Sequence, residues 1–149
     1  MVNIILEKMG QINTMDNKYG IQEVPPVLKS GDKLEKYWGH IKTIFLSDDF
    51  TLKTVFMKAN TQSSMEYHVK KDEYYYIVSG KLKVGLRIGR AKNTSIILKE
   101  GDVFHIKPGL MHMRIALEDT TIIEWSNKDD DSDSNIVEDG KTYIHKETP

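Results

Sequence analysis

The 149-residue chain contains no cysteine, which excludes disulfides, thiolate metal sites and a cysteine nucleophile. This absence is consistent with the reducing cytosol, so we expect a cytoplasmic location. The sequence has no apolar run of about 18 residues, and no membrane span is predicted. The N-terminus also lacks a basic region followed by an apolar stretch, and no secretion signal is predicted.

Neither sign of charge dominates the sequence. Lys and Arg together number 21 and Asp and Glu 22, which gives a formal net charge of -1. Without a basic excess the chain has no general attraction to a phosphate backbone, so nucleic acid is not expected as a partner. The hydrophobic content of 39% and the charged content of 29% are those of an ordinary globular protein. The length suits one domain around one core.

The two ends of the chain look peripheral. Residues 1–30 have no clear period, and Pro25-Pro26 interrupts regular structure because each proline removes a backbone donor. We interpret this segment as an N-terminal arm, which is either a surface or disordered arm or an extra strand that crosses to a partner subunit. Residues 129–149 are interpreted as an acidic C-terminal tail. Its Asp129–Asp131 run is read as a solvated loop, with a metal-binding loop as the alternative.

The central part, residues 31–128, has the pattern of a β domain. Short runs rich in β-branched and aromatic residues recur between turn signals. About eight strands at this spacing, with no convincing long helix, predict a single-domain all-β sandwich or small barrel. The predicted strands are His40–Leu46, Phe50–Met57, Ser64–His68, Glu73–Ser79, Lys81–Ile88, Thr94–Leu98, Asp102–Ile106, His112–Ala116 and Thr120–Trp125.

Two histidines and two glutamates recur at a spacing that strands can gather around one ion. Glu66 and His68 are two residues apart and point to the same face of a strand. The Val69–Asp72 turn lets Glu73 begin the next strand, and His112 begins a strand that can reach the same point from across the barrel. Imidazole with carboxylate suits a divalent ion such as Zn, Mn, Fe, Ni or Co. Four protein ligands leave coordination positions open for water or substrate.

These residues resemble the two motifs of the cupin superfamily. In its first motif two ligands lie one residue apart, an acidic ligand follows five residues later and a glycine seven after that. The first motif is matched by Glu66, His68, Glu73 and Gly80, and the second by Gly101, Pro108, Gly109 and His112. The resemblance implies the cupin double-stranded β-helix, which is a jelly-roll barrel, and supports Glu66, His68, Glu73 and His112 as the metal ligands.

Within the cupins the chain most resembles the type II mannose-6-phosphate isomerase domain and its small stand-alone relatives. The likeness spans roughly residues 33–143 and is carried by three segments: Lys36–Gly39, Ser64–His68 and Ser134–Asp139. The chain departs from that family in having Glu66 for glutamine, Asn60 for glycine, Ala116 for asparagine, and no arginine after Ile136-Val137. Since asparagine tolerates positive φ, we expect the turn at Asn60 to be kept.

The resemblance implies a metal-dependent sugar-phosphate isomerase of carbohydrate metabolism. Aldose–ketose interconversion needs a cation to polarise the carbonyl and a base to move a proton. The candidate base is His105, for which a structural role is the alternative, or a non-ligating Glu66. The candidate substrate-binding residues are Lys71, Arg114, Arg87 and Tyr75.

Two other functions stay open at this point. The first is a different cupin enzyme, either a metal-dependent dioxygenase or a nucleotide-sugar epimerase in which His68 and Tyr75 act as base and acid. The second is a non-catalytic cupin that binds a small molecule. Alternation turns Tyr74 and Tyr76 outward, where packing between subunits and plain core packing are the two alternatives. The resemblance to cupins implies a homodimer.

Overall fold

The computed structural model describes Gly20 and residues 23–149 of the chain. The N-terminal arm predicted over residues 1–30 therefore lies mostly outside the described residues. The described part contains twelve strands and a short 3-10 helix at Asp131–Asp133. The strands are β1 (Lys33–Lys36), β2 (Gly39–Leu46), β3 (Thr51–Met57), β4 (Thr61–Gln62), β5 (Met65–Tyr67), β6 (Glu73–Ser79), β7 (Lys81–Ile88), β8 (Lys92–Lys99), β9 (Val103–Ile106), β10 (Met111–Ala116), β11 (Thr120–Ser126) and β12 (Asn135–Glu138).

The strands form two antiparallel sheets that face each other. The first sheet has the order β1-β2-β3-β11-β6-β9, and the second has the order β12-β5-β10-β7-β8 with β4 paired to β10. Strands distant in the sequence are thus neighbours in space, as in a jelly roll. The prediction of a single-domain, all-β jelly-roll barrel is confirmed. Among the described residues, no helix has the length and hydropathy needed to cross a bilayer.

The core lies between the two sheets and is filled from alternate strand positions. On β6 the side chains of Tyr75 and Ile77 are fully buried, whereas Tyr74 lies on the outer face, stacked between His105 and Trp125. The predicted division of the three tyrosines between two faces is what the structure shows. The remaining core includes Val55, Met57, Leu82, Val84, Ile106, Ala116 and Ile122, and burial of each large side chain stabilises the barrel by about 1.5–3 kcal/mol.

Two glycines of the predicted motifs occupy turns with the same backbone conformation but different surroundings. Gly80 has a φ of 92° and Gly101 a φ of 88°, a region that residues with a Cβ rarely adopt. A Cβ on Gly80 would lie 2.2 Å from the carbonyl oxygen of Asp119, whereas one on Gly101 would meet nothing within 4 Å. Asn60 also has positive φ, at 62°, as expected from the sequence.

The C-terminal segment is part of the barrel. Strand β12 pairs with β5, with Ile136 opposite Glu66, and Asp129 reaches the cavity described below. The chain beyond residue 128, predicted as an acidic tail, therefore adds a strand to the second sheet. Sequence reasoning missed this strand because its four residues carry no apolar alternation, so that its pairing depends on the partner strand.

Candidate metal centre

The barrel brings the four predicted ligands together. Glu66 lies on β5 directly opposite His112 of β10, while His68 follows the end of β5 and Glu73 begins β6. Oε1 of Glu73 lies 3.3 Å from Nε2 of His112 and 3.7 Å from Nε2 of His68. Nε2 of His68 also lies 3.7 Å from Oε1 of Glu66. Ligand atoms of Glu66, His68 and His112 all lie within 4.8 Å of one another, as one metal ion requires.

Both imidazole rings are oriented by a backbone carbonyl. Nδ1 of His68 lies 3.0 Å from the carbonyl oxygen of Asp133, and Nδ1 of His112 lies 2.8 Å from that of Leu110. Each Nδ1–H therefore donates to a carbonyl, which leaves the Nε2 lone pair facing the cluster. Both Nε2 atoms are buried and have no hydrogen-bond partner among the described residues. Since such orphaned polar atoms are costly, the donor set fits a divalent cation.

The charged groups around the ligand cluster favour the ionised form of the Glu73 carboxyl. Burial would raise the pKa of this carboxyl, but His112 and the Lys71 ammonium hold it well below its usual range. Tyr75 donates a hydrogen bond to Oε1 of Glu73 over 3.3 Å, and burial with the nearby Glu73 charge raises the pKa of Tyr75 well above its usual value. Burial alone would lower the pKa of His112, but Glu73 raises it, so metal and proton would compete for this imidazole.

Lys71 acts as an internal counter-ion. Its ammonium lies 2.9 Å from Oε2 of Glu73 and 3.3 Å from Oδ1 of Asp129. Burial opposes this charge, but the carboxylates of Glu124, Glu73 and Asp129 raise the pKa of Lys71 above its usual value. The ammonium is therefore held by the protein's own carboxylates.

The turn between His68 and Glu73 is held by a single side chain. The Asp133 carboxylate accepts hydrogen bonds from the consecutive backbone N–H groups of Val69, Lys70 and Lys71, at 2.8–3.0 Å. The carbonyl of the same residue accepts from His68. Asp133 thus fixes both the ring of one candidate ligand and the turn that leads to the next.

A cavity of about 780 Å³ adjoins the cluster, a size that suits a small-molecule ligand. Its wall includes Tyr37, Trp38, Lys53, Ser63, Ser64, Glu66, His68, Lys71, Arg114, Glu124 and Asp129. Burial and the charge of Glu73 raise the pKa of the Glu124 carboxyl to about 7, although Lys71 and Arg114 oppose this. Glu124 can therefore exchange a proton near neutral pH.

Of the other predicted site residues, two line the cavity and three lie elsewhere. Lys71 and Arg114 line the cavity, whereas Tyr75 is buried and donates a hydrogen bond to Glu73. Arg87 lies elsewhere, bonded to Glu138, Tyr143 and Asn93. His105 pairs with Asp72 and stacks on Tyr74, at a ring distance of 4.2 Å, on the outer face of the first sheet. Its surroundings match the structural role given above as the alternative.

Sequence reasoning missed Glu124 and Asp133. Glu124 follows Ile122 at the inward-facing period of β11, so an acidic residue in an apolar register was an available signal. Asp133 had no such signal because its role depends on the C-terminal segment folding back against the His68 turn.

Solved structures share this fold. Oxalate decarboxylase from Bacillus subtilis at pH 4.6 is similar over 77% of this chain, with a TM-score of 0.67 and 14% identity, but the match covers only 33% of that chain. KdgF from Halomonas sp. matches 68% of this chain and 89% of its own, with a TM-score of 0.58 and 22% identity. The capsular polysaccharide assembling protein CapF from Staphylococcus aureus matches 77% and 33%, with a TM-score of 0.65 and 20% identity.

At these identities the similarity concerns the fold alone, and this chain spans about a third of the oxalate decarboxylase chain. No curated protein matches the sequence. A family model described as Cupin matches residues 40–146, which is more than half of the chain and contains all four candidate ligands. The chain belongs to the cupin family.

Proposed function

We propose that this cupin is a metal-dependent enzyme that interconverts the aldose and ketose forms of a sugar phosphate. The observation that carries the metal part is the pair of buried, unpartnered Nε2 atoms of His68 and His112 beside the carboxylates of Glu66 and Glu73. The substrate class is supported by the resemblance of Lys36–Gly39 and Ser64–His68 to the type II mannose-6-phosphate isomerases. Homodimer formation and cytoplasmic location stay predictions.

The proposed reaction moves protons and conserves all other atoms. A divalent ion held by these four side chains would supply Lewis-acid polarisation of the substrate carbonyl. Glu124 takes the proton from the carbon next to the carbonyl and returns it to the former carbonyl carbon, while a hydroxyl proton moves to the carbonyl oxygen. Glu124 suits this role because it lines the cavity, stands outside the ligand set and is shielded from bulk water.

One observation disfavours the epimerase alternative. That chemistry would use Tyr75 as an acid, but the side chain is only 1% exposed and its hydroxyl donates to Glu73. Burial and the neighbouring carboxylate also raise its pKa, which weakens it as a proton donor to substrate.

The first test is metal binding, measured by calorimetric titration of metal-stripped protein with Mn, Zn, Fe, Co and Ni in turn. We expect one ion per chain in the wild type and loss of binding in His68→Ala and His112→Ala. His105→Ala is the matched control, since this imidazole lies on the outer face. An ion at 100 times its Kd would stabilise the fold by about 2.7 kcal/mol. Absence of binding for all five ions would refute the metal-dependent function.

The second test is turnover, followed by NMR after mannose 6-phosphate or fructose 6-phosphate is added to the metal-loaded protein. We expect interconversion, and a loss of about 10²–10⁴-fold in kcat for Glu124→Gln with metal binding retained. Metal binding without turnover would favour the non-catalytic binding alternative. Oxygen uptake by the iron form would favour the dioxygenase.

A further inference from the structure

We propose that the guanidinium of Arg114 is an anion receptor that binds the carboxylate or phosphate of the cavity's ligand. Arg114 lies on β10, two residues after His112, so the two side chains share the inner face of the strand. Arg114 also lines the cavity next to the metal-ligand cluster. This inference deepens the proposed function by naming the group that recognises the substrate's charge, and it rests on the same cavity.

Arg114 carries a buried charge that the protein does not neutralise by contact. Its side chain is only 7% exposed. Its Nη1 atom is buried and has no hydrogen-bond partner among the described residues. Within the same part of the chain, no carboxylate forms an ion pair with it at 4.0 Å or less. Burial opposes the charge, but Tyr75, Glu124 and Glu66 raise the pKa of Arg114 through space, so the N–H donors themselves stay open to an anion that contacts them.

The nearest contacts of Arg114 hold the guanidinium without cancelling its charge. Its Cζ lies 4.9 Å from the ring centre of Trp38 and 6.0 Å from that of Tyr75. The aromatic faces attract the cation and fix its position, but they accept none of its in-plane N–H bonds. The planar N–H donors of the guanidinium are therefore held in one orientation and remain available. This geometry suits a carboxylate or phosphate.

The two other cations predicted to bind phosphate have polar partners at contact distance. Arg87 is bound by Glu138, Tyr143 and Asn93, and uses three of its nitrogen atoms. Lys71 is held between the carboxylates of Glu73 and Asp129. Of the three cations predicted to bind phosphate, Arg114 is the one that combines burial, a place in the cavity wall and an unpartnered donor.

The spacing of His112 and Arg114 along β10 sets the distance that the ligand spans. Cα atoms two residues apart on β10 are separated by about 7 Å. One small molecule can therefore place an anionic group on Arg114 and an oxygen at the cluster that contains His112. The ligand class is a short polyhydroxy molecule that ends in a carboxylate or a phosphate, for which the cavity of about 780 Å³ has room.

The test is calorimetric binding to metal-free and metal-loaded protein of three probes: mannose 6-phosphate, gluconate and uncharged mannose. We expect at least one anionic probe to bind the wild type, and Arg114→Met to weaken that binding by 30-fold or more while binding of mannose changes less than threefold. Arg114→Lys is expected to recover part of the affinity, since it keeps the charge but loses the planar fork. Arg90→Met, on the exposed surface, is the charge-loss control.

A stability measurement separates this role from a structural one. Arg114 forms no ion pair at contact distance, so Arg114→Met should lower the urea midpoint less than Lys71→Met, which breaks a buried ion pair. A markedly lower midpoint together with unchanged anion affinity in Arg114→Met would overturn the inference, as would failure of both anionic probes to bind the wild type. Anion binding through Arg114 without turnover would refute the proposed isomerisation and leave this inference standing.

Discussion

Replacement of Lys71 by methionine tests how much the buried ion pair of Lys71 with Glu73 stabilises the protein. The Lys71–Glu73 pair is 2.9 Å long, and its side chains are only 8% and 1% exposed. Loss of one partner of a buried ion pair costs about 3–5 kcal/mol, because the other charge stays buried without compensation. For a chain of this length, Lys71→Met should lower the Tm of the metal-free protein by roughly 10 °C.

The matched control is Lys81→Met. Lys81 and Glu118 form a pair of 3.8 Å whose side chains are 47% and 58% exposed, and such surface pairs contribute about 1 kcal/mol at most. Thermal and urea denaturation, both monitored by tryptophan fluorescence, measure the two variants under the same conditions. Equal losses of stability in the two variants would refute the claim that burial makes the Lys71 pair important.

Lys71→Met should destabilise the metal-free protein but strengthen its binding of metal. The Lys71 ammonium repels a cation held by Glu73, and two unit charges 4 Å apart interact by about 4 kcal/mol at an effective dielectric constant of 20. We therefore expect Lys71→Met to bind Mn or Zn at least tenfold more tightly, measured by competition with a chelator. Weaker metal binding would show instead that Lys71 acts mainly by positioning the Glu73 carboxylate.

Two further predictions concern stability and positioning. Gly101→Ala should lower the free energy of unfolding by about 1–2 kcal/mol, because of its positive φ alone. Gly80→Ala adds a clash with the Asp119 carbonyl and should lower the free energy of unfolding, measured in urea, by more than 3 kcal/mol in total. Equal losses in the two variants would show that the clash at Gly80 does not matter. Asp133→Asn weakens the hydrogen bonds that hold the turn after His68. We therefore expect the free energy of unfolding to fall by about 1 kcal/mol and metal binding to weaken about tenfold. Calorimetry measures the metal affinity, with Asp131→Asn as the control variant. Unchanged metal affinity would show that Asp133 does not position the ligand.

Local alternation was enough to predict most strands. The predicted bounds Glu73–Ser79 and Lys81–Ile88 are those of β6 and β7, because the first is a run of aromatic and β-branched residues, the second alternates apolar and polar residues, and a glycine turn separates them. The missed strands β1, β4 and β12 have two to four residues each. Such short segments are defined by the strand beside them, which a local pattern does not contain.

The site was predictable where its residues are close in sequence. Glu66, His68 and Glu73 follow from strand period and one turn, and the structure brings them to His112. The surroundings of these side chains were harder to predict. One of the two carboxylates that bind Lys71 belongs to Asp129, which reaches the cavity from the C-terminal segment. Contacts of this kind arise from tertiary folding and leave no local signature.

Strand β12 also covers an otherwise bare sheet edge. It pairs with β5, the three-residue strand that carries Glu66. A chain shortened at residue 128 would expose the backbone N–H and C=O groups of β5, and such an edge is a template for strand addition by another molecule. Because β12 itself is only four residues long, the new edge is short. The C-terminal segment therefore leaves only a short edge for strand addition beside the strand that carries Glu66.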